Sequence, residues 1–438
     1  MQLEQFANEN LSHYSYAVLS EYEKKMILID PGRDLSPYYN FAQLYEAQIT
    51  GVILTHLHSD FVSGHRELQQ ATGATLYISP KAQAQFPHVP LQEGDQLRLG
   101  KIELEIWETP GHSPESISIV ARYGKRTVAV FTGDTLLHGE VGRPDYPAPL
   151  QETLWEQGCR ELFHSTHQRL ATLPDSVKVY PAHGAGYLQC RSVSNARGSN
   201  MGAEKRSNFA LQPMSEEAFC RYLNKDRLVL PAHMGYIRSL NRRGLPPLAT
   251  SVQAVAWCED NYQPEPDHLV IDVREATAFH TSHWPGAINV PLCPFFEFWL
   301  GTLIDHQEPF YLTGASAEQV QRAMVRTASI GYEQHLQGVF VTHAAQGVPS
   351  PILDYNALNG QLHAFTIVDT SCRFEQRRER PYPNAIPLPL VEWRNRIQEI
   401  PTDKSVVVCS TEGPSTIVSS LLSRLLPVKV FDLGQTAR

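Results

Sequence analysis

Five short apolar runs in the first half of the chain each end on a histidine or an aspartate: KKMILIDPG, ITGVILTHLH, IELEIWETPGH, RTVAVFTGD and SVKVYPAHG. Each has the length and make-up of a buried strand, followed by a polar loop. Between them lie stretches with helical spacing, SGHRELQQATG and LQETLWEQGCRELFHSTHQRL. Strands alternating with helices, with polar chemistry collected at strand ends, predict a layered α/β domain over residues 1–235.

Around residues 235–255 the pattern loosens into GYIRSLNRRGLPPLATSVQAV, which reads as a linker. HLVIDVREATAFHTSHWPGAINVPL then opens a new unit, and FTIVDTSCRFEQRRERPYPNAIPLPL repeats its frame further on. The shared frame is a strand ending in Ile-Asp-Val or Val-Asp-Thr, a polar helix, and Pro-x-Ala-Ile-x-x-Pro. Each copy continues into another strand and helix, FYLTGASAEQVQRAMVRTASIGY in one and SVVVCSTEGPSTIVSSLLSRLL in the other. This internal duplication predicts domains at 250–345 and 355–438, three in all.

Composition narrows the class without naming a reaction. A length of 438 residues suits two or three domains, and 42% hydrophobic with 19% charged residues is the balance of a soluble globular protein. The net charge of -9, with no basic block, excludes general nucleic-acid binding. No run of ~18 apolar residues is present to span a membrane. The opening MQLEQFANENLSHYSYAVLS has no basic segment leading into an apolar core, so no signal peptide is expected. The cysteines at 159, 190, 220, 258, 293, 372 and 409 show no paired spacing, which suits reduced thiols in a cytoplasm. The expectation is a cytoplasmic enzyme assembling as a homo-oligomer.

The strand-end loops supply candidate metal ligands: Asp30; His56, His58 and Asp60; His112 in TPGHSPES; Asp134 in FTGDTLL; and His183 in YPAHGAG. Small residues flank each of them and let a loop crowd an ion, and imidazole with carboxylate is a usual ligand set. His65 and His138 stand near these motifs and read as surface or loop residues.

This ordered set resembles the metallo-β-lactamase superfamily over roughly residues 1–235. The resemblance implies a four-layer αββα sandwich with the metal at one edge of the two sheets. Hydrolases of the glyoxalase II type carry His-x-His-x-Asp-His, in which the second metal uses the Asp, the adjoining His and a later His. Here that adjoining position is Phe61, whose hydrocarbon ring donates no lone pair, so a single metal is expected. A sub-family resembling this one, the persulfide dioxygenases, holds one iron through two histidines and one aspartate. Carried over, the resemblance implies one Fe(2+) per chain on His56, His112 and Asp134, with His58, Asp60 and His183 orienting ligands or meeting water and substrate. Two His and one carboxylate on one face leave positions open for dioxygen and a substrate sulfur. Gly142, Arg143, Pro144 and Asp145 look like the family's GRPD turn, and Arg143 and Asp145 read either as part of the site or as a local ion pair.

Two cysteines are candidate sulfur carriers. Cys190 follows His183 in HGAGYLQC, where similar fusion proteins place a cysteine; it reads as a persulfide relay or as a small buried hydrophobe. The next segment, RSVSNARGSNMGAEKRSNFAL, fits an anionic thiol carrier such as coenzyme A or glutathione, or a plain surface loop. Residues 250–438 resemble rhodaneses, sulfurtransferases whose Cys-x-x-Gly-x-Arg-Ser loop cradles a persulfide at a helix N-terminus. The first copy places Gly314 where that Cys belongs and is expected to be inactive. The second carries Cys409, with Glu412 in place of the Gly, Pro414 in place of the Arg, and Ser415 matching. The remaining cysteines read as structural.

The reading is therefore an iron persulfide dioxygenase. It would oxidise glutathione, coenzyme A or bacillithiol persulfide with O2 to sulfite, and Cys409 would pass sulfane sulfur on to give thiosulfate in sulfide detoxification. The alternatives are a zinc-dependent thioester hydrolase of the glyoxalase II type, or a non-enzymatic sulfur-binding sensor or scaffold.

Overall fold

Strands β1 (Gln2–Asn8), β2 (His13–Ser20), β3 (Lys25–Ile29), β4 (Gln48–Ile53), β5 (Thr75–Ile78) and β6 (Val89–Pro90) form one sheet in sequential order. A second six-stranded sheet runs β12-β11-β10-β9-β8-β7, from β7 (Gln96–Leu99), β8 (Ile102–Glu108), β9 (Ile117–Tyr123), β10 (Arg126–Gly133), β11 (Lys178–Pro181) and β12 (Ser199–Asn200). The computed structural model describes residues 1–144, 152–186, 193–194, 198–225, 230–259, 262–265, 267–342, 347–354, 358, 360–371, 382, 384–410 and 415–435. Asp145, Cys190, Cys372, Glu412 and Pro414 lie outside them.

Side-chain alternation builds the layers. Tyr16 and Val18 of β2 and Ile27 and Ile29 of β3 point to a core shared with Leu104, Ile106, Ile119 and Phe131 of the second sheet. Their neighbours Ala17, Leu19, Met26 and Leu28 point the other way, onto helices α1 (Ser36–Leu44) and α2 (His65–Thr72). Behind the second sheet, Val120, Val130 and Val179 meet Trp155 and Leu162 of α3 (Glu152–Phe163), while α4 (Met201–Ser207) and α5 (Glu216–Asn224) add Met201 and Phe219. Strands covered on both faces must be apolar on both, which is why these runs read as continuous rather than alternating. The result is the expected αββα sandwich.

The segment expected to be a linker is helical. Residues His233–Arg243 form α6, Leu248–Gln253 form a further helix, and the first compact unit reaches Leu248. Its Arg and Asn residues, which look solvent-directed in sequence, are in part buried against the strand-end loops.

The C-terminal residues from Ala249 fall in the second compact unit. It holds two parallel four-stranded sheets of the same topology. One is β14-β13-β15-β16, from β13 (Leu269–Asp272), β14 (Ile288–Asn289), β15 (Phe310–Gly314) and β16 (Leu336–Val341). The other is β18-β17-β19-β20, from β17 (Phe365–Asp369), β18 (Ile386–Pro387), β19 (Ser405–Ser410) and β20 (Val430–Gln435). The repeated order supports the duplication. Register corrects one detail of it: Asp369 pairs with Cys409, and its counterpart Asp272 pairs with Thr313, not Gly314. The first copy still offers no thiol there. Among the described residues, no helix is long and apolar enough to cross a membrane.

Candidate metal centre

The ends of β3, β4, β8, β10 and β11 converge, and the loops they feed bring the candidate side chains together. The main chain closes the edge: Asp30 N–H donates to Ile53 O at 3.0 Å, Ile117 N–H to Thr55 O at 3.0 Å, and Tyr14 N–H to Ala182 O at 2.7 Å. The ligand atoms of His56, His112 and Asp134 all lie within 4.8 Å of one another, and the three side chains are buried. A second trio, His58, Asp60 and His183, meets the same spacing.

Each imidazole of the first trio is oriented from behind. The Thr55 hydroxyl lies 2.7 Å from Asp30 Oδ2 and 3.0 Å from His56 Nδ1. Its one proton goes to the carboxylate, so its oxygen accepts from Nδ1–H and leaves the lone pair on His56 Nε2. His112 Nδ1 donates to the Arg143 carbonyl at 2.6 Å, with the same consequence for its Nε2. Those two Nε2 atoms stand 3.9 and 3.6 Å from Asp134 Oδ2. Ligands ~2.1 Å from a shared ion stand ~3–3.5 Å apart, so the donor set fits a metal with only slight tightening.

Asp134 is placed by glycines on both sides. Gly133 has φ 51°, and a Cβ there would press on the Thr55 side chain. Gly142 N–H donates to Asp134 O at 2.9 Å, and a side chain at Gly142 would collide with that oxygen. This is the local reason for Gly-Arg in the turn after β10.

Asp60 and Asp134 flank His183. Its Nδ1 lies 2.7 and 2.9 Å from the two Asp134 oxygens, and its Nε2 lies 2.8 Å from Asp60 Oδ2. Burial works to lower its pKa, but the charges of Asp134 and Asp60 prevail and push it up to about 10. For Asp134 burial works upward, yet the charges of His183, His112 and His56 hold it well below the usual carboxylate range.

Phe61 is 1% exposed, with its ring centroid 3.9 Å from that of His13 and 4.4 Å from that of His58. It is a hydrocarbon wall against the second trio. Neither ring nitrogen of His58 has a hydrogen-bond partner, although Nε2 stands 3.4 Å from Asp30 Oδ1. An orphaned buried imidazole facing two carboxylates is a further sign that the centre is built to receive something absent from the polypeptide.

Asp30 belongs to neither trio; it holds Thr55 and takes a bond from His13 Nε2 to its carbonyl at 2.9 Å. His13 is a residue no motif marks, and its only sequence signal is its place at the start of an early apolar strand. His65 and His138, expected at the surface or in loops, are both buried, at 1% and 2% exposure, His65 at the start of α2 and His138 in a turn. His65 packs its ring 4.6 Å from Phe86, and His138 bonds the Val179 carbonyl at 3.0 Å. Cys409 is buried at the end of β19, its Sγ 3.5 Å from Val368 O. Burial first, then the charge of Asp369, pushes its thiol up to about 12.

The fold and this edge, with residues that could hold a metal ion, define the class. The chain belongs to the metallo-β-lactamase superfamily, whose family model matches residues 10–183, and it carries a rhodanese-like domain matched at residues 254–341. Among its relatives is the mitochondrial persulfide dioxygenase of Mus musculus, 31% identical over 191 residues, or 43% of this chain and 70% of that protein. The hydroxyacylglutathione hydrolase of Methylobacterium nodulans is 31% identical over 210 residues, 47% of this chain and 73% of that one. A crystal structure of a metallo-β-lactamase from Staphylococcus aureus superposes with a TM-score of 0.70 at 28% identity, covering 78% of this chain and 99% of that chain.

Proposed function

We propose that this enzyme is a non-haem Fe(II) persulfide dioxygenase. The observation that carries the reading is the buried His56–His112–Asp134 cluster, two imidazoles and one carboxylate with their Nε2 lone pairs turned to a common point. Ferrous iron bound by such a trio supplies adjacent open coordination positions and the electrons for dioxygen chemistry. The overall change is a persulfide RSSH plus O2 and water giving the thiol RSH, sulfite and two protons. The terminal sulfur loses four electrons and dioxygen gains them.

The chain's own residues would hold and orient. Thr55 and the Arg143 carbonyl fix the imidazole tautomers, which tunes ligand strength as partners behind metal ligands do elsewhere. His183, gripped between Asp134 and Asp60, sits where it can hold a proton near the carboxylates. Phe61 and His13 wall off the far side.

Sulfite would then take sulfane sulfur from a Cys409 persulfide: the sulfite lone pair attacks the outer sulfur, the S–S bond breaks toward Cys409, and thiosulfate leaves. Loading Cys409 needs its thiolate to attack the outer sulfur of a second RSSH, so that the RS–S bond breaks and the thiol RSH is released, and the buried, raised thiol disfavours that thiolate at neutral pH. The second reading, a dinuclear zinc thioester hydrolase, is favoured by the His58–Asp60–His183 spacing and by the hydrolase relatives. Oxygen uptake with glutathione, coenzyme A and bacillithiol persulfides side by side tests the proposal. Uptake with at least one supports it, and thioester cleavage with no uptake supports the hydrolase.

A further inference from the structure

Helix α6 sends two buried side chains into the metal-site loops from far along the chain. Asn241, 1% exposed, donates from Nδ2 to the carbonyls of His58 at 2.9 Å and Phe61 at 2.7 Å. Its Oδ1 accepts the N–H of Ser63 at 2.8 Å. Both ends of this amide are thus spent on the main chain of the loop that carries His58, Asp60 and Phe61.

Arg238, on the preceding turn, is paired through Nη2 with both oxygens of Glu115, at 2.7 and 2.8 Å, and its Nη1 lies 3.4 Å from the Leu57 carbonyl. Glu115 Oε1 in turn accepts the Leu57 N–H at 3.2 Å. Leu57 lies between His56 and His58, and Glu115 lies three residues past His112 in the same loop. One buried ion pair therefore ties the first histidine loop to the second. A desolvated pair and a buried amide are a poor way to stabilise a core, where apolar residues of similar size serve as well or better. Their partners here are main-chain groups of the two loops whose separation sets the distance from His56 to His112.

We propose that Arg238 and Asn241 are positioning residues of the metal centre, fixing the His56 loop against the His112 loop from a helix outside the matched family region. This rests on the reading that the centre binds a metal ion, and not on which reaction follows.

The test uses the full-length protein loaded with Co(II), whose visible absorption reports ligand geometry, and follows metal release into excess chelator. Asn241→Ala and Arg238→Met are expected to release metal roughly 10–100-fold faster than wild type, the range for groups that orient ligands from behind, with an altered Co(II) spectrum. Arg238→Lys should recover part of the loss, and Ser239→Ala, on the exposed side of the same helix, should match wild type. If Asn241→Ala does not fold, Asn241→Asp decides the matter, since it keeps the size and the acceptor but loses both donated bonds. Wild-type release and spectrum in the folded variants would overturn the proposal. Failure of the dioxygenase reading looks different: the wild type itself would take up no oxygen, while the release rates would still separate variants from wild type.

Discussion

Asp30 accepts both the main-chain N–H and the hydroxyl of Thr55, at 2.8 and 2.7 Å, and does so from a backbone held at φ 49°. The arrangement fixes where the hydroxyl proton goes and hence which nitrogen of His56 keeps a lone pair. Thr55→Val preserves shape and removes the hydroxyl. It should weaken metal binding roughly 10–100-fold and cost about 1–3 kcal/mol of stability by leaving Asp30 Oδ2 short of a donor. Competition with a metallochromic chelator reads the first effect and denaturant unfolding the second. Unchanged affinity would show that the relay does not orient His56.

Asp134 and His58 should separate under mutation. Asp134 is the one carboxylate in the first trio and meets His56, His112 and His183 at once, so Asp134→Ala should abolish iron retention and oxygen uptake. His58→Ala should lower activity but keep much of the metal, because His58 lies in the other trio. Metal analysis of both folded variants checks this. Complete metal loss from His58→Ala would point to the hydrolase-like ligand set instead.

His65 gives a pH signature of folding. Burial first, and the charge of Arg66 second, push its pKa down to about 3, while an exposed histidine titrates near ~6.5. The folded value is the lower one, so the unfolded chain takes the proton first as pH falls. The stability it contributes is complete above pH ~6.5 and is lost as pH drops toward 3, at about 1.4 kcal/mol per unit. His65→Leu should therefore reduce the loss between pH 7 and 5 by about 2 kcal/mol, read from urea unfolding at the two values. An identical loss in variant and wild type would contradict the burial account.

How far the sequence reached depends on what is local. Asp30, His56, His112, Asp134 and His183 are legible because each ends an apolar run, and strands covered on both faces force those runs to be unbroken. The layered α/β character follows from the same runs, while the αββα order is what the family resemblance implies. Arg238 and Asn241 are not legible: they lie about 180 residues from the loop they grip, in a stretch whose Arg, Asn, Gly and Pro content imitates a linker. His65 and His138 mislead for the opposite reason, since a histidine beside a motif looks solvated until a Phe86 or a strand carbonyl covers it. The one-residue slip between Gly314 and Thr313 is a matter of strand register, which only the pairing with Asp272 fixes.

Cys409 should show itself through product distribution. With the thiol pushed up to about 12, its thiolate fraction rises roughly tenfold for each pH unit across the neutral range. The thiosulfate share in the wild type should climb from pH 7 to 9, as thiolate attack on sulfur becomes available. Cys409→Ser should keep oxygen uptake and give sulfite alone. Equal product ratios in the two proteins at every pH would remove the transfer step and leave the C-terminal unit without a sulfur-carrying role.

The step to measure is oxidation of persulfide sulfur by O2 at one ferrous ion held by His56, His112 and Asp134. It is tested most directly by loading the metal-free protein with iron or with zinc and measuring oxygen consumed against sulfite formed from glutathione persulfide. The expected result is about one iron per chain, one O2 consumed per sulfite when sulfite is the product, and no uptake with zinc. Two zinc ions per chain, with thioester hydrolysis and no oxygen uptake under either metal, would contradict it.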